Sequence, residues 1–218
     1  VAGVSDPEIE IFNSNVNFSI SVEDPVVNGT YSGLAEVSYK IKNNGTVTQE
    51  KKFNNENNKI KPELMQREFS ENLTVDASKN NGNNIVIEVT ARDNAGNESS
   101  ETRELAIDTT KPEITVSYDN NTVANGKYFK ADRTMTIKYT ERNFYEEGIT
   151  FDVSTNGGAL QNGISLESLK KLSGITVEES HTDSQEGTDF KSLTDDRVNT
   201  YTIIFNAGGA NGDMDYKI

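Results

Sequence analysis

Cysteine is absent from this 218-residue chain. Its absence removes disulfides, thiol chemistry and cysteine metal sites together, and leaves the redox compartment unreadable. Tryptophan is absent too, and with it the largest aromatic face on which a sugar ring can stack. The single histidine, His181, excludes histidine-rich metal sites. A Ser-His-Asp triad would have to be built on that one residue, which stands in the polar, loop-like stretch Glu178-Glu179-Ser180-His181-Thr182-Asp183. No basic cluster interrupts a net charge of −14. A surface of that sign repels phosphate backbones and anionic lipid, so neither a nucleic-acid partner nor membrane insertion is expected. There is no signal-peptide pattern and no apolar run long enough to span a bilayer. The first residue is Val1 rather than Met, which suggests a piece of a larger protein.

What is present is alternation. Only 33% of residues are hydrophobic, but they are largely β-branched or aromatic and fall at every second position. Phe18-Ser19-Ile20-Ser21-Val22 shows it, and Ile85-Val86-Ile87-Glu88-Val89 is likewise a strand pattern. That period places apolar side chains on one face of a strand and polar ones on the other, the pattern of sheets with one wet face. It argues against disorder in a chain this acidic.

Strands are predicted at Glu8–Phe12, Val16–Val22, Ala35–Lys42, Thr46–Phe53, Phe69–Val75, Ile85–Arg92 and Thr102–Ile107. Turn formers separate them: the Gly-rich connection Asn28–Gly33, Asn43-Asn44-Gly45, the Pro62 stretch, Asp76–Asn84 and Asp93-Asn94-Ala95-Gly96-Asn97. The last of these lies between two alternating runs and marks a hairpin. Seven short strands so spaced suggest an immunoglobulin-like sandwich. Its expected core is Ile9, Ile11, Phe18, Ile20, Val22, Leu34, Val37, Tyr39, Ile41, Phe69, Leu73, Val75, Val86, Val89, Leu105 and Ile107. Tyr39 is the candidate for the central position that a tryptophan fills in antibody domains.

Pro112 fixes φ and cannot donate a ladder bond, so a new strand begins there. Pro112-Glu113-Ile114-Thr115-Val116 matches Pro7-Glu8-Ile9-Glu10-Ile11, and Met135–Glu141 then matches Phe18–Asp24 with an extra stretch around Asn120–Arg133. A repeat of roughly domain length implies tandem modules rather than a solenoid. The expected fold is all-β: one immunoglobulin-like domain over 1–108 and a second over 109–218. The second should contain strands at Ile149–Val153 and Thr200–Phe205, the start of another at Asp213–Ile218, and no last strand. Leucines three apart in Ser165–Gly174, with a Ser N-cap and a closing Gly, predict a short helix. It would plug one end of the sandwich or offer a face to a partner.

Several motifs strengthen the assignment. Asp93-Asn94-Ala95-Gly96-Asn97 with Ile107-Asp108-Thr109-Thr110-Lys111-Pro112 resembles the D-x-A-G-N loop and D-T-T-x-P junction of bacterial immunoglobulin-like domains strung in tandem in large surface proteins and adhesins. In the second repeat, Glu141-Arg142-Asn143-Phe144, Ser173-Gly174-Ile175, Tyr201–Phe205 and Gly212–Tyr216 look like that family's order of R-N-F, S-G-W, strand and G-D-Y. Ile175 stands where the Trp is usual, Gly212-Asp213-Met214-Asp215-Tyr216 replaces G-D-Y, and a second D-x-A-G-N is missing. The resemblance covers nearly the whole chain. It implies an extracellular, cell-surface-attached stalk or adhesive module with neighbouring modules of the same chain as partners, and no enzyme activity.

Two readings attach to the acidic end of the first repeat. In an immunoglobulin-like sandwich the entry of the first strand, the second-to-third connection and the last hairpin meet at one pole, which gathers Asp6, Glu23, Asp24, Asp93, Asn94 and Asn97. Calcium takes six to eight oxygens of the kinds these residues carry. Alternatively, Asp93, Asn94 and Asn97 build the turn through bonds to their own backbone. Asp108 and Glu141 would form an equivalent partial site at the joint.

Sugar stacking is a second candidate, on Tyr128, Phe129, Phe144 and Tyr145, though such aromatics also serve as core. Lysine and asparagine are too plentiful for the sequence to point to any isopeptide pair. The Asn-x-Ser/Thr triplets at Asn28, Asn44, Asn72, Asn97 and Asn120 read as chance matches in an Asn-rich chain. The acid pair Asp195-Asp196 could do glycosidase-like work only if both carboxylates shared a face, and neighbours on a strand do not. The alternative to a stalk is therefore an accessory carbohydrate-binding module of a secreted glycan-degrading enzyme, with an unknown host or glycan ligand in either case.

Overall fold

The computed structural model describes residues 9–122, 131–143, 148–155, 158–172, 174–181, 189–195, 198–205 and 216–217. The protein is all-β and divides into two compact units. The first takes in Ser5–Thr110 with the three-residue turn Phe190–Ser192; the second takes in Lys111–Asp189 and Leu193–Ile218.

In the first unit, β1 (Ile11–Phe12), β7 (Glu98–Ile107), β6 (Gly82–Asp93), β3 (Leu34–Asn43) and β4 (Thr46–Phe53) lie side by side in that order. A second sheet pairs β2 (Val16–Glu23) with β5 (Glu68–Val75). All pairs are antiparallel except β1 with β7, which is parallel. Alternation does its work on β2, where Phe18, Ile20 and Val22 turn inward while Asn17, Ser19 and Ser21 stay exposed. The two sheets close on one core that draws Ile20 and Phe69 from the smaller and Val37, Ile41, Ile85 and Leu105 from the larger. Tyr39 sits at its centre in a chain of ring contacts: edge-on to Phe18 at 6.1 Å, then to Phe53 at 6.4 Å, which meets Phe69 at 4.9 Å.

Three expectations about this core need correction. Ile11 is 47% exposed, because only two residues of β1 join the sheet. Val86 points to the other face of β6, and Ile85 and Ile87 are buried instead. Phe53, Ile60 and Ala77 complete the core from a strand end and two loops, where no period marks them. The hairpin at Asp93–Asn97 is present, but β7 begins at Glu98, and its residues 98–104 are exposed on both faces.

The loop between β5 and β6 is braced by Asn80, which is fully buried. Its amide donates to Gln49 Oε1 at 2.9 Å and to the Asp76 carbonyl at 2.8 Å, and its carbonyl accepts from Thr48 Oγ1 at 2.6 Å. At the end of the unit Asp108 N donates to the Phe12 carbonyl at 2.7 Å, and Asn81 holds Thr110 Oγ1 at 3.0 Å. The turn Phe190–Ser192 belongs to the same unit. Asn83 donates to the Phe190 carbonyl at 3.0 Å, and Lys191 pairs with Glu104 at 2.7 Å.

The second unit carries a four-stranded antiparallel sheet in the order β12 (Ile175–His181), β13 (Val198–Phe205), β9 (Arg133–Thr140), β8 (Glu113–Tyr118). Beside it stands a sheet ordered β11 (Gln161–Ser165), β10 (Thr150–Thr155), β14 (Tyr216–Lys217). Their common core includes Met135, Ile137, Phe151, Val153, Tyr201 and Ile203. The predicted helix is one turn, α1 (Leu166–Leu169), capped by Ser165, whose hydroxyl accepts from Ser168 N at 3.3 Å. It buries Leu166 and Leu169 in that core. The helix ends at Lys170, before Gly174. His181 closes β12 rather than standing in a loop. No helix among the described residues is long and apolar enough to cross a membrane.

Candidate functional site

The acidic pole of the first unit is assembled by two loops that the strands deliver to one end. β2 ends at Glu23, and the connection to β3 returns through Ser32 and Gly33; β6 and β7 are joined there by Asp93–Asn97. Asp24 Oδ2 accepts from Ser32 N at 3.0 Å and Gly33 N at 2.7 Å, closing the first loop on itself. Asn94 N donates to the Gly33 carbonyl at 2.9 Å, and its side-chain amide to the Ser32 carbonyl at 2.9 Å. One asparagine thus ties the hairpin to the neighbouring loop.

Asp93 is occupied by its own turn. Asn97 N donates to Asp93 Oδ1 and the Asn97 amide to Asp93 Oδ2, both at 2.8 Å. These bonds favour the ionised form, and the Asn97 side chain chiefly holds the Asp93 carboxyl below its ordinary pKa. Gly96 takes φ 91, which the turn requires. Glu23 forms an ion pair with Arg67, whose guanidinium also donates to the Asp24 carbonyl at 3.2 Å and lies 5.2 Å from the Tyr31 ring centroid.

The structure therefore brings Glu23, Asp24, Asp93, Asn94 and Asn97 to one end, and Asp6 lies outside the described residues. Each carboxylate already serves N–H donors or a guanidinium, so the arrangement is that of a turn and a loop clasp. Among the described residues no group of three or more Asp, Glu, His or Cys side chains converges as a metal site would require. Asp108 accepts from Thr110 N at 3.0 Å and Glu141 from Asn143 N at 3.0 Å, each within its own turn.

Beside this pole runs an open groove of about 370 Å³ between β2 and the β6–β7 arm. Val22, Leu34, Val89 and Ala91 supply its apolar lining, and Glu23, Asp24, Asp93, Glu98 and Glu101 its charge. Sequence reasoning missed it because the polar run Glu98–Arg103 does not alternate; the hairpin carries it alongside β2.

Tyr128, Phe129, Phe144 and Tyr145, the candidate sugar platform, lie outside the described residues. Asp195 has a structural partner: it holds Arg142, only 4% exposed, at 2.8 Å. The arginine of the R-N-F motif is thus a buried cation of the second unit. No family model matches the sequence, and no curated protein matches it.

Proposed function

We propose that both units are immunoglobulin-like sandwiches, and that the chain is a non-enzymatic structural and adhesive repeat of a bacterial cell-surface protein. The observation that carries this reading is the strand order of the first unit. A sheet ordered β1-β7-β6-β3-β4, its first pair parallel, faces the antiparallel pair β2-β5, as in Greek-key sandwiches of this class. The paired sheets of the second unit and the repeated opening strands support the same reading for it. The ion pair that Asp195 makes with the buried Arg142 supports a structural rather than catalytic account of that acid. In such an array the partners are neighbouring modules of the same chain, and the chain extends a binding domain from the cell or adds weak contacts to a host or glycan surface.

Antibodies raised against the chain test this on intact producing cells. Labelling without permeabilisation is expected; labelling only after lysis would overturn the surface assignment. A glycan array run alongside decides the carbohydrate-module alternative, which requires a saturable hit.

A further inference from the structure

The groove of the first unit lies between two strand edges. Among the described residues β2 pairs only with β5. β7 pairs with β6 along its length and, among the described residues, meets β1 only at Ala106 and Ile107. Ser21–Glu23 on one side and Glu98–Glu101 on the other line the groove, so both strands border it. Edges left unpaired among the described residues are of the kind that accepts an added strand. At about 3.3 Å per residue, four residues of β7 offer some 13 Å of edge, enough to pair about four residues of an added segment.

The walls select the occupant's charge. Glu23, Asp24, Asp93, Glu98 and Glu101 surround the groove against one cation, Arg92, which already has Glu36 at 3.8 Å. Glu23 is paired with Arg67, Asp24 and Asp93 accept from N–H groups of their own loops, and Glu98 and Glu101 stand exposed on the groove's wall. The lining beneath is apolar. A strand entering here would place alternate side chains on Val22, Val89 and Ala91 and the others among the carboxylates.

We propose that this groove binds an extended peptide segment of a partner protein in which apolar residues alternate with lysine or arginine, held by strand addition. The proposal goes beyond the stalk assignment and requires neither calcium nor a glycan.

Fluorescence anisotropy with the full chain and a labelled Lys-Val-Lys-Val-Lys-Val peptide tests it. Saturable binding is expected at about 50 mM salt, at least tenfold weaker at about 500 mM. A peptide with Glu in place of Lys should bind at least tenfold more weakly. The double variant E98K/E101K should lose at least tenfold while its unfolding midpoint stays unchanged, since both side chains are exposed. Amide chemical shifts should move at Val22, Ser99 and Ser100. Equal binding of Lys-Pro-Lys-Pro-Lys-Pro, which keeps the charge but loses every second backbone donor and the apolar side chains, would reduce the contact to bulk electrostatics and overturn strand addition. So would binding indifferent to E98K/E101K. If the full chain binds nothing and a variant lacking residues 1–8 does, the groove belongs to the chain's own first residues, and the partner assignment fails.

Discussion

Gly33 and Met65 pack backbone against backbone: a Cβ built on Gly33 would lie 2.6 Å from Met65 Cα. Both residues take positive φ, 81° at Gly33 and 49° at Met65. Leu34 N, next along the chain, donates to the Gln66 carbonyl at 2.7 Å. The contact therefore fixes the approach of the Pro62 turn to the loop that carries the acidic pole.

Gly33→Ala should be among the most damaging single changes in the first unit. It adds left-handed strain of about 1–3 kcal/mol to an overlap that no flexible side chain can relieve, worth another 1–3 kcal/mol or so. Gly29→Ala is the control: φ is also positive, 78°, but nothing lies within 4 Å of the added carbon. Urea denaturation should show the control losing about 1–2 kcal/mol, the strain alone. Equal losses at the two positions would mean that the contact with Met65 gives way.

The second unit has its own test at Arg142 and Asp195. Removing one partner of a buried pair typically costs about 3–5 kcal/mol, but Asp195 is 46% exposed, and solvent screening cuts this to about 1–2 kcal/mol. Asp195→Ala should lower the stability of the second unit by that much and leave the first unit unaffected. Arg142→Met keeps the volume, discards the charge, and should cost no more than Asp195→Ala. A loss at Asp195 confined to binding or turnover, with stability intact, would return that carboxylate to functional chemistry.

How far the sequence foretold this depended on period. Val16–Val22 and Phe69–Val75 alternate, and the strands fall there within a residue. On β6 the run Ile85-Val86-Ile87 is apolar on both sides, so the pattern could not say which face is inward; the structure buries Ile85 and Ile87. Phe53 and Ile60 lie where strand gives way to loop, and no repeat announces them. The acidic pole was legible because turn-forming residues are chemically distinctive. Its bonding was not, since a carboxylate that clasps a loop and one that binds a cation have the same letter. The pairing of Arg142 with Asp195 spans too much sequence for any local signal.

Acid should weaken the fold through named carboxylates. Asp76 is held below its ordinary pKa first by the Ser78 hydroxyl, Asp119 first by Thr134 N, and Glu88 first by the Lys42 ammonium. Each folded pKa lies below the unfolded one, so the unfolded chain binds more protons between them, and stability rises with pH across that window. The contribution is complete above the unfolded Asp and Glu values, about 3.9 and 4.3, and is lost as pH falls through the folded ones. With salt added to screen the bulk negative charge, the unfolding midpoint should stay level from about pH 7 to 5 and drop below about pH 4. Asp76→Asn and Asp119→Asn should each make that drop shallower. An unaltered acid limb in both variants would show that these bonds do not set it.

Asp93 separates turn chemistry from calcium binding. Both of its oxygens accept from Asn97, so Asp93→Ala should lower the first unit's unfolding midpoint equally in chelator and in millimolar calcium. The parent chain should unfold at the same temperature in both. Asn97→Ala removes one of the two bonds and should give a smaller loss of the same kind. A site selective for the native state would behave otherwise: at a hundredfold excess over Kd it stabilises by about 2.7 kcal/mol. A midpoint that rises with calcium but not magnesium, and no longer rises in Asp93→Ala, would show that the loops rearrange around a cation. Asp24 and Asp93 would then release their present donors to ligate it, and the pole would act as a metal-stiffened joint.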